Sequence, residues 1–251
     1  MQIKRKTEYR ASFAFVLVSA AALPFFDLLA IMMMFERFGS IQGWTLYEIL
    51  IPYSVINFGA HAGELFFRGF DRFSFMVREA GFDRLLTRPK PLMLQVMGSD
   101  FEINRVGRIS ISVLLLVYAI YKLQLGMSAA KIFLLALMLA SSLIIFGGVY
   151  IIRAAACFWT TEGLEIINIV SDGGRHSMQY PLSIYNRAFR FVFTFLIPFG
   201  AANFYPLLVL LGRAGENILL YSLAPLMNIL FFAACVCFWK FGVSRYASAG
   251  S

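Results

Sequence analysis

Six apolar blocks, each long enough to cross a bilayer as a helix, leave this chain few folds to adopt. They run from about Ala11 to Phe35, Trp44 to Phe67, Ile109 to Leu125, Ala129 to Phe158, Phe189 to Leu211 and Ile218 to Phe241. A hydrocarbon core of ~30 Å takes about 17 to 25 helical residues at ~1.5 Å each, so every block qualifies, the third just adequately. None shows the period-two alternation of a membrane barrel. With 60% of residues hydrophobic and only 14% charged, the chain cannot cover itself with polar surface in water. The expected fold is an all-α integral membrane protein with about six transmembrane helices, forming one domain over residues 1–251.

The basic residues predict the orientation. With six spans the termini share a side, and on it fall Lys4, Arg5, Lys6 and Arg10. The connection after the second block adds Arg68, Arg72, Arg78, Arg84, Arg88, Lys90, Arg105 and Arg108. The connection after the fourth adds Arg153, Arg175, Arg187 and Arg190, and the tail adds Lys240 and Arg245. Only Arg37, Lys122, Lys131 and Arg213, of 22 basic residues in all, fall opposite. Basic residues collect on the cytoplasmic side, so both termini and both long connections, about 68–108 and 160–188, are expected there. Trp44, Tyr47, Tyr118 and Tyr121 would mark the outer interface, and Trp159 and Trp239 the inner one. The net charge of +8 thus reports topology and implies no nucleic-acid partner. Lys4 to Ala22 has the outline of a secretory signal, but the apolar run continues to Met34, which reads as an uncleaved first helix.

Enzyme signatures are absent. The sequence has no GxxxxGK[ST] loop to cradle a nucleotide phosphate, no HExxH and no GxSxG. His61 and His176 are its only histidines, too few for a metal cluster. Cys157, Cys235 and Cys237 lie in apolar stretches without metal or CxxC spacing and read as packing residues.

Four features carry functional weight. Asp27 lies deep in the first block, where a carboxylate must face protein or water; it reads as part of a transport path or as a helix-pairing contact beside Pro24. Glu48, His61 and Glu64 sit near block ends, where placement at the interface is cheap, and Arg153 reads as a snorkelling anchor. Between the second and third blocks, Phe70, Phe73 and Val77 share a helical face, and Gly81 to Arg88 forms a short charged helix ended by Pro89 and Pro91. That helix is either a rigid cytoplasmic knob or a solvated loop on the headgroups. Pro198, Gly200, Asn203 and Pro206 break the fifth block, so a broken or re-entrant segment is expected at about 198–212, with Asn203 and Tyr205 beside a possible path.

At these residues the sequence resembles the permeases of ABC transporters of the ABC-2 type, in a poorly characterised branch. The resemblance rests on Phe38-Gly39-Ser40-Ile41-Gln42-Gly43-Trp44-Thr45 and on the Val77–Pro89 stretch. It continues through Tyr180-Pro181-Leu182-Ser183-Ile184-Tyr185, Ile197-Pro198 with Tyr205-Pro206, and Tyr246-Ala247-Ser248-Ala249-Gly250. It departs at Glu79-Ala80 before Gly81 and at Lys90-Pro91 inserted before Leu92. The resemblance implies a six-helix, type V exporter-like permease in a bacterial cytoplasmic membrane, surrounded by lipid. It would dimerise with an identical or related chain and dock ABC ATPase subunits, which would hold the ATP and magnesium; this chain would hold no cofactor or metal and would be no enzyme. Phe82, Asp83, Arg84, Leu85 and Arg88 would form the helix that couples to the ATPase. The rival expectations are a proton- or ion-coupled carrier using Asp27 as its coupling carboxylate, and a membrane scaffold.

Overall fold

The computed structural model describes residues 26–79, 81–102, 105–160 and 172–246. Among them the structure is helical, with a single isolated bridge between Ile41 and Trp44 closing a tight turn. The first block is helical over 26–38 (α1). Its part before residue 26 and the Ala247–Gly250 motif lie outside the described residues. The turn at 39–44 uses left-handed backbone at Gly39, Gln42 and Gly43, the glycines bearing it at no steric cost.

The bundle is built from α2 (Leu46–Asp71), α6 (Arg105–Lys122), α7 (Ala129–Ala156) and a final helix over Gly215–Ser244 that contains α12 (Ile218–Leu223) and ends in α13 (Met227–Ser244); the shorter helices α8 (172–177), α9 (Arg187–Phe191), α10 (Phe199–Ala202) and α11 (Phe204–Leu210) come between α7 and it. Thr45 starts α2 with a capping box, its N–H donating to Glu48 Oε2 at 2.8 Å. Between α2 and α6 lie three short helices: α3 (Phe73–Arg78), α4 (Gly81–Leu86) and α5 (Leu92–Met97).

Helix α7 is the central post. A Cβ on Gly59 would meet Ser142 Oγ at 1.9 Å, and one on Gly63 would meet the Phe146 Cβ at 2.9 Å. Glycines spaced by four therefore let α2 approach α7 closely, as membrane helices do when no hydrophobic force separates protein from lipid. Ser142 donates to the Val55 carbonyl at 2.8 Å. On the other side Ser141 donates to the Pro225 carbonyl at 2.9 Å, and Asn228 donates to Ser141 at 2.6 Å. Pro225 has no N–H to donate within the last helix, and the Ser141 hydroxyl bonds to the carbonyl of Pro225 itself.

Among the described residues, Ala129–Ala156 and Gly215–Ser244 are long and apolar enough to cross a membrane. Helices α2 and α6 are as long as a span but carry charges that the site below uses. The fifth block does not run straight: helix Arg187–Leu196, which ends in a π turn, meets Phe199–Leu210 at 76°. The break falls at Ile197-Pro198, and Asn203 interrupts the second arm.

One expectation needs correction. The 160–188 connection was expected on the side of the bundle where Asp71 lies. Its start is there, because Phe158 packs on Phe73 and Phe82. By Ser183 it has reached the other end: Trp44 Nε1 donates to Ser183 Oγ at 3.1 Å. Trp44 precedes α2, and α2 is about 39 Å long at 26 residues, so Phe158 and Ser183 lie near opposite ends of the bundle. Arg175, Arg187 and Arg190 therefore leave the set of residues counted at the Asp71 end. The physical reason is that 172–186 finds polar partners inside the bundle, which hydropathy along the chain does not register. Trp44 and Trp239 are buried within the protein, at 6% and 2% exposure.

Candidate functional site

The second half of α2 places Asn57, His61, Glu64, Arg68 and Asp71 at spacings of four, three, four and three. That spacing sets all five on one helical face. Each meets a partner from another element or from its own stripe. Arg175, on the helix at 172–177, donates to Asn57 Oδ1 at 3.0 Å and contacts His61 Nε2 at 3.4 Å. His61 Nδ1 lies 3.3 Å from Glu64. Glu64 pairs with Arg105 of α6 at 2.9 Å, and Arg105 also holds Glu102 at 2.8 Å. Arg68 pairs with Asp71 and stands 3.7 Å from Glu102. Asp71 takes Arg153 of α7 at 2.6 Å.

This chain of contacts ties α2, α6, α7 and the 172–177 helix together. His61 is 2% exposed and Glu64 14%. Both are buried in the network, and Arg153 is paired with Asp71. In the loop before α6, burial alone would raise the Glu102 carboxyl. The hydrogen bond and charge of Arg105, helped by Arg68, outweigh it and hold that carboxyl below its usual range.

The same end of the bundle carries a second, dry site. Phe82 is fully buried, with Phe73 and Tyr246 rings each 4.9 Å away edge-on. Phe158 and Trp239 complete the pocket at 5.6 Å and 6.4 Å. Tyr246 also donates to Asp83 Oδ1 at 3.0 Å. So α4 is fastened to the ends of α7 and α13. Gln95 of α5 donates to the carbonyls of Leu85 and Lys90, at 3.2 Å and 2.8 Å, which holds the proline turn behind α4. An open cleft of about 770 Å³ lies between them, lined by Leu85, Arg88, Pro89, Lys90, Leu94 and Gln95 among others.

The five residues of the expected coupling helix thus divide. Phe82 points into the bundle, Asp83 is half-buried against Tyr246, and Leu85 is half-buried on the cleft. Arg84 and Arg88 are exposed. Asp83 differs from the exposed charges of this helix in having a fixed partner in the tail, Tyr246.

Asp27 is exposed on α1, though its charge acts on Tyr53 and Tyr180. Asn203 is 2% exposed and donates to the Met178 carbonyl at 2.7 Å. Tyr205 shares a hydrogen bond of 3.1 Å with Thr194 across the bend. Asn203 and Tyr205 therefore brace the broken segment from inside. At the Trp44 end Arg213 lies 5.0 Å over the Trp44 ring and pairs with buried Glu48. Sequence reading missed the polar stripe of α2, although its three-four spacing was available. It also missed Arg175, for which no local pattern was present.

A family model described as "ABC-2 family transporter protein" matches residues 21–250 of the chain. No curated protein and no solved structure matches it.

Proposed function

We propose, because this chain belongs to the ABC-2 transporter family, that it is the permease subunit of an ATP-driven exporter in a bacterial cytoplasmic membrane. Separate ABC ATPase subunits would bind ATP and magnesium, and a second permease chain, identical or related, would complete the path. The carrying observation is the fastening of α4. Its apolar side is buried on Phe73, Phe158, Trp239 and Tyr246, while Arg84 and Arg88 face outward beside the open cleft. A short helix fixed to two long ones on one side and bare on the other can pass a push from an attached motor into α7 and α13. The carrier reading, with Asp27 as coupling carboxylate, has no comparable observation behind it.

Six crossings suit these contacts. The fifth would run between Phe158 and Ser183, and the bent pair 187–210 would enter and leave at the Trp44 end, dipping to Phe146, which Phe199 meets at 5.1 Å. Among the described residues, the Asp71 end keeps Arg68, Arg72, Arg78, Arg84, Arg88, Lys90, Arg105, Arg108, Arg153, Lys240 and Arg245. The Trp44 end has Arg37, Lys122, Lys131, Arg187, Arg190 and Arg213. The excess favours a cytoplasmic Asp71 end, and with it cytoplasmic termini.

Single cysteines in a background with Cys157, Cys235 and Cys237 replaced by alanine test this layout. Those at Gln42, Arg187 and Gly215 label from outside, and those at Arg88 and Trp159 from inside. Labelling of position 187 from inside would remove the crossing between Phe158 and Ser183. The partner model is tested by nucleotide binding: the purified chain alone takes up no ATP, and an ATPase copurifies with it from its own cells. Saturable ATP binding by the chain alone would sink the model.

A further inference from the structure

The bent pair 187–210 encloses an open cavity of about 310 Å³, lined by Arg187, Arg190, Phe191, Thr194, Phe195 and Tyr205. Arg187, Arg190 and Thr194 follow one another at spacings of three and four, so one face of the first arm presents all three. Tyr205 comes from the second arm, and its 3.1 Å hydrogen bond with buried Thr194 joins the two arms. Phe191 and Phe195, with rings 5.3 Å apart, make an exposed apolar wall. Phe204, next to Tyr205, meets the Trp44 ring at 6.3 Å, so the cavity sits near the Trp44 end of the bundle.

The polar part of this lining consists of donors. Arg187 and Arg190 are exposed, and their guanidinium groups make no hydrogen bond or ion pair among the described residues. Each offers five N–H groups and no acceptor. In the Thr194–Tyr205 pair one hydroxyl donates and the other accepts, so whichever way the bond runs, one O–H remains for a third group. No carboxylate lines the cavity. The matching ligand is an anion with several acceptor oxygens. A single carboxylate has two, which one guanidinium fork already occupies; a phosphate can serve two forks and a hydroxyl together. The Phe191–Phe195 wall gives such a ligand an apolar neighbour, and the end of a membrane bundle is the level at which arginine heads and lipid phosphates meet.

We propose that this cavity is a binding site for a phosphate group, carried by an acidic phospholipid or by a soluble phosphate compound, with Arg187 and Arg190 holding its oxygens and the Thr194–Tyr205 pair donating a further hydrogen bond. The site is independent of the permease reading above, and its test needs neither ATPase nor transport. The full chain is purified in a maltoside detergent and a phosphate-free buffer. One arm adds phosphatidylglycerol to the micelles, and the other adds inorganic phosphate alone. Thermal unfolding is followed in both. The wild type gains several degrees of Tm in at least one arm, as a ligand of the native state must produce. A gain with inorganic phosphate identifies a soluble phosphate site, and a gain with phosphatidylglycerol alone identifies a headgroup site.

Arg187→Gln combined with Arg190→Gln loses the gain. Each single change weakens binding of the same probe about tenfold, as losing a hydrogen bond to a charged group does. Lysine at both positions keeps a smaller gain, because it retains the charge without the fork. Arg37→Gln separates a built site from general surface charge: Arg37 is an exposed cation at the same end, over the Phe38 ring and outside the cavity lining, and its loss leaves the gain whole. If the double glutamine variant does not fold, the two single variants decide by the same comparison. No gain in either arm for the wild type, an equal gain in the Arg187 and Arg190 variants, or an equal loss in Arg37→Gln overturns the proposal.

Discussion

Where α2 meets α6 and α7 near Asp71, charges make the joint; a short distance away, where α4 meets α7 and α13, rings make it. The ionic joint is directional. Asp71 serves Arg68 and Arg153, and Arg105 serves Glu64 and Glu102, so each group depends on another staying in place. The aromatic joint has no such obligations. Phe82 touches four rings at 4.9 to 6.4 Å, and each contact is a modest, forgiving attraction. Charges fix which faces of the long helices meet, because a mismatched pair leaves a bare ion away from water. Rings fasten a peripheral helix firmly without dictating its register. A part that must transmit motion can tolerate slip at the second kind of joint far better than at the first.

The largest effect is expected from breaking the ionic joint. Asp71→Ala strands Arg153 and Arg68 together, and removing one partner from a buried pair costs about 3–5 kcal/mol. The partial exposure of Arg153, 22%, puts this case at the low end of that range. Thermal unfolding of the purified chain in detergent should show a lowered Tm for Asp71→Ala and a smaller loss for Asp71→Asn, which keeps a hydrogen-bond acceptor. Equal Tm for all three would mean that the joint contributes nothing to the fold.

A smaller and more local effect is expected at the aromatic joint. A buried Phe→Ala change costs ~3–5 kcal/mol in a core that cannot relax. Here α4 is six residues long and can come away by itself, which caps the global loss. Phe82→Ala should therefore lower the Tm less than Asp71→Ala while exposing Trp239, now 2% exposed, to water. A red shift in tryptophan emission with most of the Tm retained is the expected signature, and Phe82→Leu should largely prevent it. A large Tm loss with no emission shift would show that the rings belong to the bundle core rather than to a fastening.

Each joint was legible in the sequence only in part. Phe70 and Phe73 were legible as a buried face from their helical spacing, and both are fully buried. The break at Pro198 and Asn203 was legible because proline and a buried amide are poor continuers of a membrane helix. Phe82 was not, since a six-residue helix gives too few turns to tell an inward ring from an outward one. Arg175 could not be placed because its environment comes from α2, more than a hundred residues earlier. Its neighbourhood reads as a polar loop, and only the slot formed by Asn57 and His61 makes burial affordable. The α2 stripe was written in the sequence at spacings of four and three, but each polar residue taken singly looked like the end of a span.

The smallest effect on the fold, and the sharpest test of what the aromatic joint is for, comes from the exposed side of α4. Removing Asp83 would confound the test, because its carboxylate accepts from Tyr246 and its loss loosens the fastening itself. Arg84 and Arg88 avoid this: both are exposed. Arg84→Ala combined with Arg88→Ala should leave the Tm of the chain within about ±0.5 kcal/mol of unchanged stability, as surface substitutions generally do. At a docked interface the same two guanidinium groups would be desolvated against the partner, where losing a charged contact costs ~2–5 kcal/mol. The expected outcome is a chain of normal Tm and normal tryptophan emission that retains less ATPase on copurification, with the remaining ATPase no longer stimulated. Phe82→Ala should give the reverse split: a bound ATPase and a shifted emission, with stimulation lost because the push no longer reaches α7 and α13. If the double arginine variant holds and stimulates its ATPase as the wild type does, α4 is fastened to the permease for a reason other than coupling.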